Sequence, residues 1–175
     1  MTPDDEFLKQ FNEQFGHRSF QPSEGEEAPA EEAEARRARE LHEKEVKVHG
    51  VYEHPQGGMF VLLRDSRSRN LPIWIGQPEA VSIHVAVEGS TATRPMTHDL
   101  LKLLVERLSG GVEYVLVDDL YNNVFYAKIA LRQNGKTAEI DCRPSDAIAT
   151  ALRFRAPIYV AEHVLEEGQW HFSEE

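Results

Sequence analysis

The stretch Val112–Cys142, VEYVLVDDLYNNVFYAKIALRQNGKTAEIDC, decides the fold. Val112–Leu120 and Val124–Leu131 are rich in β-branched and aromatic residues, and they flank Asn122-Asn123. Asparagine tolerates the positive φ of a tight hairpin turn, so the pair predicts two antiparallel strands. Gln133-Asn134-Gly135-Lys136 is a second turn of this kind, leading into Thr137–Cys142 as a third strand. Working outward, Val46, Val48, Val51 and Tyr52 suggest a strand, His54–Gly58 a turn, and Met59–Leu63 another strand. Asp65–Asn70 reads as a polar turn before the apolar run Leu71-Pro72-Ile73-Trp74-Ile75, and Pro157–Val160 as a short final strand. Helices are expected at Glu79–Glu88, with Ala80, Val81, Ile83 and Val87 on a broad face, at Thr97–Leu108, and at Pro144–Arg153. The predicted class is α+β: a largely antiparallel or mixed β-sheet packed with about three α-helices, rather than a doubly wound sheet.

The ends of this region carry two similar strings. Arg94-Pro95-Met96-Thr97-His98-Asp99 is echoed by Asp141-Cys142-Arg143-Pro144-Ser145-Asp146. Each puts an Arg-Pro corner, a hydroxyl residue and an Asp at a helix start. Thr97 and Ser145 are expected to cap the first free N–H groups, and Asp suits the positive end of the helix dipole. Two helix mouths of this composition can bind an anion or hold a divalent metal. They can equally be two local networks of Arg, Asp and helix caps that rigidify corners.

The chain has 175 residues and a net charge of −11. Residues 1–44 hold twelve acids against six Lys and Arg, and residues 45–175 hold eighteen against thirteen, so neither part is basic. A general nucleic-acid binder would be, and contact with nucleic acid would need a local basic patch or bridging metal ions. Residues 1–29 are expected to be disordered from their low hydrophobicity and negative charge. Residues 30–44 are expected to be a solvated, partly helical tail supported by Glu32/Arg36 and Glu40/Lys44, with the compact domain starting near Glu45 and running to Glu175. Cys142 is the single cysteine, which leaves no intrachain disulfide and no cysteine-rich zinc site. Met1–Phe20 shows no signal-peptide pattern and no apolar run is long enough to span a bilayer, so a cytoplasmic location with no membrane partner is expected.

Metal-assisted chemistry on a bound anion needs hard oxygen ligands, an activated water and positive charge facing the anion. In that chemistry Glu79, Asp99, Asp141 and Asp146 are the candidate ligands for Mg²⁺ or Mn²⁺. His98, Asp99, Asp141 and Asp146 are the candidate catalytic groups, expected to share one polar pocket. Arg94, Arg143, Thr97 and Ser145 are the candidate substrate contacts. No diagnostic metal or phosphate-loop spacing accompanies them. Cys142 lacks a neighbouring His base and Ser145 lacks a hydrolase elbow, so a half-buried core residue and a helix cap are expected in place of nucleophiles. His84 is expected as a core or interface histidine, and Trp74 and Tyr159 as core residues. Arg64, Arg67 and Arg69 are expected as a solvated loop and, if the domain touches nucleic acid, as the first choice for phosphate contacts.

Leu71-Pro72-Ile73-Trp74-Ile75-Gly76 with Glu79-Ala80, Arg94–Leu101, Asp141–Ala149 and Ala156-Pro157-Ile158 together resemble the bifunctional nuclease domain family. The resemblance covers roughly Glu45 to Glu166. Cys142 departs from it, standing where a small residue is common. What the resemblance implies is an α+β fold and DNase and RNase activity. The expected function is therefore divalent-metal-assisted hydrolysis of phosphodiester bonds in DNA or RNA by a homo-oligomer. The alternatives are a non-catalytic protein-binding or assembly module and a sensor of a small anionic ligand.

Overall fold

The structure, a computed structural model, describes residues 42–169. Strands β1 (Glu43–Glu53), β2 (Met59–Asp65) and β3 (Asn70–Ile75) form one antiparallel meander. Strands β4 (Gly110–Tyr121), β5 (Val124–Gln133) and β6 (Lys136–Cys142) form a second. The hairpins turn where the sequence indicates: Asn122 and Asn123 have φ of 50° and 61°, and Asn134 and Gly135 of 51° and 76°. Strand β7 (Ile158–Ala161) lies between the two meanders, antiparallel to β1 and parallel to β4, completing the mixed order β3-β2-β1-β7-β4-β5-β6. Pro72 is tolerated because β3 is an edge, where a missing N–H breaks no ladder.

Four helices among the described residues pack on the sheet: α1 (Gln77–Val87), α2 (Thr97–Arg107), α3 (Pro144–Phe154) and α4 (Glu162–Gly168). The fold class is α+β, as expected, with α4 additional. That short helix has no side-chain cap and buries only Val164 and Leu165, so it leaves little periodic signal. Helix α3 is central, with Ala147, Ile148, Ala149 and Ala151 fully buried against Val61, Leu63, Val115, Val117 and Ile129. Its small residues let it sit close to the strands. The sheet is strongly curled around this core. A Cβ on Gly168 would lie 2.6 Å from Leu71 Cδ1 on β3 and 3.3 Å from Phe125 Cε1 on β5. In a flat sheet those strands, five spacings apart, would be about 24 Å from each other.

Several expectations change here. Helix α1 buries Ala80, Ser82 and Ile83, whereas Val81, Val87 and His84 are exposed. Trp74 is 55% exposed and outside the core. Glu43 and Lys44, at the end of the expected 30–44 helix, are in β1, where their extended backbone pairs with Ala161 and Val160. The rest of that helix and the expected disordered segment 1–29 lie outside the described residues. The arginine turn is not merely solvated. Asp65 Oδ1 accepts the N–H groups of Arg67 and Arg69 at 2.9 and 2.8 Å, and Arg69 donates to Asp65 and to both carboxylate oxygens of Glu162. This pins the β2–β3 turn to the start of α4.

Candidate active site

The helix mouths are built differently from the caps expected of them. Helix α3 begins with Arg143 at the N-cap, Pro144 in the first turn and no side-chain cap, so Ser145 is already inside the helix and buried. Helix α2 has Met96 at the N-cap. The exposed Thr97 does not cap it. Instead the Asp99 carboxylate, three residues on, reaches back to accept the Met96 N–H at 2.9 Å.

Arg143 organises the first cluster. Its Nε donates to Asp146 Oδ2 at 2.8 Å, and its Nη2 donates both to Asp146 Oδ1 at 3.1 Å and to Glu79 Oε1 at 3.0 Å. Glu79 reaches it because its carboxylate folds back over Gly76, where any Cβ would collide with it. Asp146 Oδ1 also meets His98 Nε2 at 3.1 Å, and the other ring nitrogen meets Ser82 Oγ at 2.9 Å. An ionised carboxylate only accepts, so Nε2 carries the proton. In the neutral ring Nδ1 then accepts from the Ser82 hydroxyl. His98 and Ser82 are buried, whereas the Arg143 side chain is 66% exposed. Burial pushes the Asp146 carboxyl up, but Arg143 and His98 outweigh it and hold it below its ordinary value. Asp146, followed by Glu79, raises the Arg143 pKa in turn.

Asp99 does not join this cluster. Consecutive helical residues point about 100° apart, so when His98 meets Asp146 its neighbour faces elsewhere. Asp99 Oδ1 accepts from Arg153 Nε, whose guanidinium also donates to the carbonyls of Ala149 at 2.9 Å and Ser82 at 3.4 Å. Arg153 is seven residues beyond Asp146, about 10 Å along the helix. Asp99, Lys102, Arg153 and Arg155 border a separate open cleft of about 430 Å³. Asp141 is exposed on β6, opposite Lys128, and Arg94 is exposed before α2. Among the described residues no side-chain hydrogen bond or ion pair joins either to the Arg143 cluster. Cys142 is half-buried, and burial, then Asp146 and Asp141, push its thiol up to about 12, which rules out a ready nucleophile.

The structure thus brings together Glu79, His98, Arg143 and Asp146, and leaves Asp99, Asp141, Arg94 and Thr97 apart. Sequence reasoning missed Ser82 and Arg153. Both had a signal: Ser82 is three residues after Glu79 on α1 and Arg153 seven after Asp146 on α3, spacings that put each on the helical face of a candidate site residue.

A solvent-facing Arg held between two carboxylates and backed by a buried His is suited to meeting an anion. The family profile of the bifunctional nuclease domain matches residues 61–173, and the chain belongs to that family. An uncharacterized protein of Mycobacterium tuberculosis is 42% identical over 126 residues, 71% of this chain and 75% of its own length. Bifunctional nuclease 1 of Arabidopsis thaliana is 27% identical over 127 residues, 65% of this chain and 39% of that protein. Bifunctional nuclease 1 of Oryza sativa subsp. japonica is 25% identical over 113 residues, 63% of this chain and 34% of that protein. The chain therefore spans little more than a third of the plant proteins it matches. Among the described residues no helix is long and apolar enough to cross a membrane.

Proposed function

We propose that this chain is a cytoplasmic phosphodiesterase of DNA or RNA whose reaction centre is Glu79, His98, Arg143 and Asp146. The observation that carries the reading is Arg143: an exposed guanidinium with two carboxylates on it and a buried imidazole behind. Family membership and the names of the plant relatives support the substrate class. A phosphate arriving at Arg143 competes with Glu79 and Asp146 for the guanidinium. The freed Glu79 carboxylate is the group to take a proton from water. The buried His98 holds Asp146 in place and ionised.

The divalent cation expected for such hydrolysis fits this donor set in kind. Glu79 and Asp146 are the side chains that would hold Mg²⁺ or Mn²⁺, while His98, with both ring nitrogens engaged, would orient Asp146. Among the described residues no three such groups form a ready cluster, because the Arg143 guanidinium stands between the carboxylates. When bound, such an ion would polarise a phosphoryl oxygen and acidify water.

The test is cleavage of single- and double-stranded DNA and RNA by highly purified protein with Mg²⁺, Mn²⁺ or EDTA. Arg143→Ala and Asp146→Asn should each lower the rate by about 10²-fold or more, whereas Asp141→Ala and Arg94→Ala should change it far less. No cleavage by the wild type under any of these conditions, or equal rates in all four variants, overturns the reading.

One observation favours assembly alongside this activity. Leu100, Leu101, Leu103, Leu104 and Leu108 of the α2 region are all exposed. We propose that this face joins copies of the chain in a homo-oligomer, which Leu104→Asp should dissociate in light scattering.

A further inference from the structure

One hydroxyl lies beside the candidate site without reaching solvent. Ser82 of α1 is only 3% exposed, and its Oγ lies 2.9 Å from His98 Nδ1. His98 is the single buried residue of α2, and its Nε2 lies 3.1 Å from Asp146 Oδ1. Ser82, His98 and Asp146 are the residue types of a nucleophilic triad. Burial excludes that use, because no substrate reaches the Ser82 Oγ, and the ring turns Nδ1 rather than Nε2 towards the serine. The string instead closes a loop across three helices. Glu79 and Ser82 stand one turn apart on α1. Glu79 meets Arg143, Arg143 meets Asp146, Asp146 meets His98, and His98 meets Ser82.

The loop gives the two oxygens of Asp146 different partners. Oδ1 accepts from both His98 Nε2 and Arg143 Nη2, whereas Oδ2, among the described residues, accepts from Arg143 Nε alone. A phosphate that draws the guanidinium away therefore bares Oδ2 and leaves Oδ1 on the imidazole. Without that hold the carboxylate, three residues from Arg143, is free to follow the guanidinium. His98 anchors Oδ1 only while its ring stays in place, and a buried Nδ1 with no donor would be costly. The Ser82 hydroxyl supplies the donor. The backbone around this contact is tied as well. The Arg153 guanidinium donates to the Ser82 carbonyl at 3.4 Å and to the Asp99 carboxylate, next in sequence to His98.

We propose that Ser82 is a positioning residue: through His98 it holds Asp146 in place while Arg143 turns to the phosphate, so that Asp146 Oδ2 stays open for the reaction. The oxygens that Arg143 releases, Asp146 Oδ2 and Glu79 Oε1, are then presented together, since both were held by one guanidinium. The part of Oδ2 in hydrolysis rests on the phosphodiesterase reading. The relay from Ser82 to Asp146 is a property of the folded chain and is read without any cleavage.

The experiment is heteronuclear NMR of the histidine rings in the full chain, with the His98 signals identified by their loss in His98→Asn. In the wild type Nε2 should carry a slowly exchanging proton and Nδ1 should show an accepted hydrogen bond. In Arg143→Ala, which removes the guanidinium altogether, the Nε2 proton should persist. In Ser82→Ala with Arg143→Ala it should be lost to exchange with water, and in Ser82→Thr with Arg143→Ala, which keeps a hydroxyl, it should remain. A proton on Nδ1 in the wild type, or an Nε2 proton that survives in Ser82→Ala with Arg143→Ala, overturns the proposal. Kinetics read the consequence. Ser82→Ala should lower kcat about 10-fold with KM little changed, and Ser82→Thr should recover most of the loss. An unaltered kcat, or a change confined to KM, overturns the part given to Ser82 in the reaction. The expected NMR pattern with no cleavage by the wild type would leave the relay standing and remove the phosphodiesterase reading.

Discussion

Helices α2 and α3 open on nearly the same letters, Arg-Pro followed by a hydroxyl residue and Asp, yet they are attached to the molecule in different ways. Helix α3 buries seven residues in the curl of the sheet. Helix α2, with the denser leucine pattern, buries only His98. The first is held by packing. The second is held by polar fastenings at either end of α3, His98 to Asp146 and Asp99 to Arg153. An apolar stripe shows that a helix has a face to cover. It does not show what covers it.

The contrast can be broken most directly by truncating one apolar residue on each helix. Ile148→Ala should cost about 2–5 kcal/mol in denaturant titration, because Ile148 is fully buried. Leu104→Ala, at a residue 52% exposed in the protomer, should stay within about 0.5 kcal/mol when the titration is run dilute enough that the copies are dissociated. Equal losses would erase the distinction.

Next in size is the far fastening. The Arg153 side chain is only 6% exposed and bonds to groups on α1, α2 and α3. Arg153→Leu should cost about 2–3 kcal/mol by leaving polar partners unmatched. Amide exchange should rise in α2 well before α3.

Acid sharpens the same point. Burial pushes the Asp99 carboxyl up, but Arg153 and the Met96 N–H hold it below its ordinary 3.8. Asp146 and Asp65 are likewise below 3.8, and Glu162, through Arg69, below 4.5. Folded values below the unfolded ones mean that this stability is fully present above about pH 4.5 and is lost as pH falls through the lowered values. Stability measured from pH 6 to pH 2 should fall over that window, and less steeply in Arg153→Leu. A flat profile would contradict the ion pairs.

The smallest effects test details. Thr150 is buried in α3 and its hydroxyl has no hydrogen-bond partner among the described residues, so Thr150→Val should be neutral or stabilise by up to about 1 kcal/mol. Thr97→Ala should change stability by less than about 0.5 kcal/mol, since Thr97 is exposed and caps nothing.

The parts legible in the sequence were the local ones. Asn122-Asn123 and Asn134-Gly135 announce their turns because few residue pairs accept two positive φ values, and the α+β class follows from them. The family strings announce the site region for the same reason, being contiguous. Hidden were features set by partners far along the chain. The parallel β4–β7 pair, the exposure of Trp74 and the α2 leucines, and the tie from Arg69 to Glu162 all depend on what lies opposite. Asp99 was misplaced by a local error of another kind. Adjacency in sequence was read as adjacency in a pocket, although neighbouring residues on a helix diverge.

The position of β7 bears on how the protein is made. Among the described residues the last strand in sequence lies in the middle of the sheet, and the β1–β3 and β4–β6 meanders pair only through it. While the chain emerges from the ribosome, each meander presents an unpaired backbone edge, β1 on one and β4 on the other, until Ile158–Ala161 arrives. Nascent chains stalled before that point carry two open edges ready to capture other strands, and translation past Ala161 is the step that closes both at once.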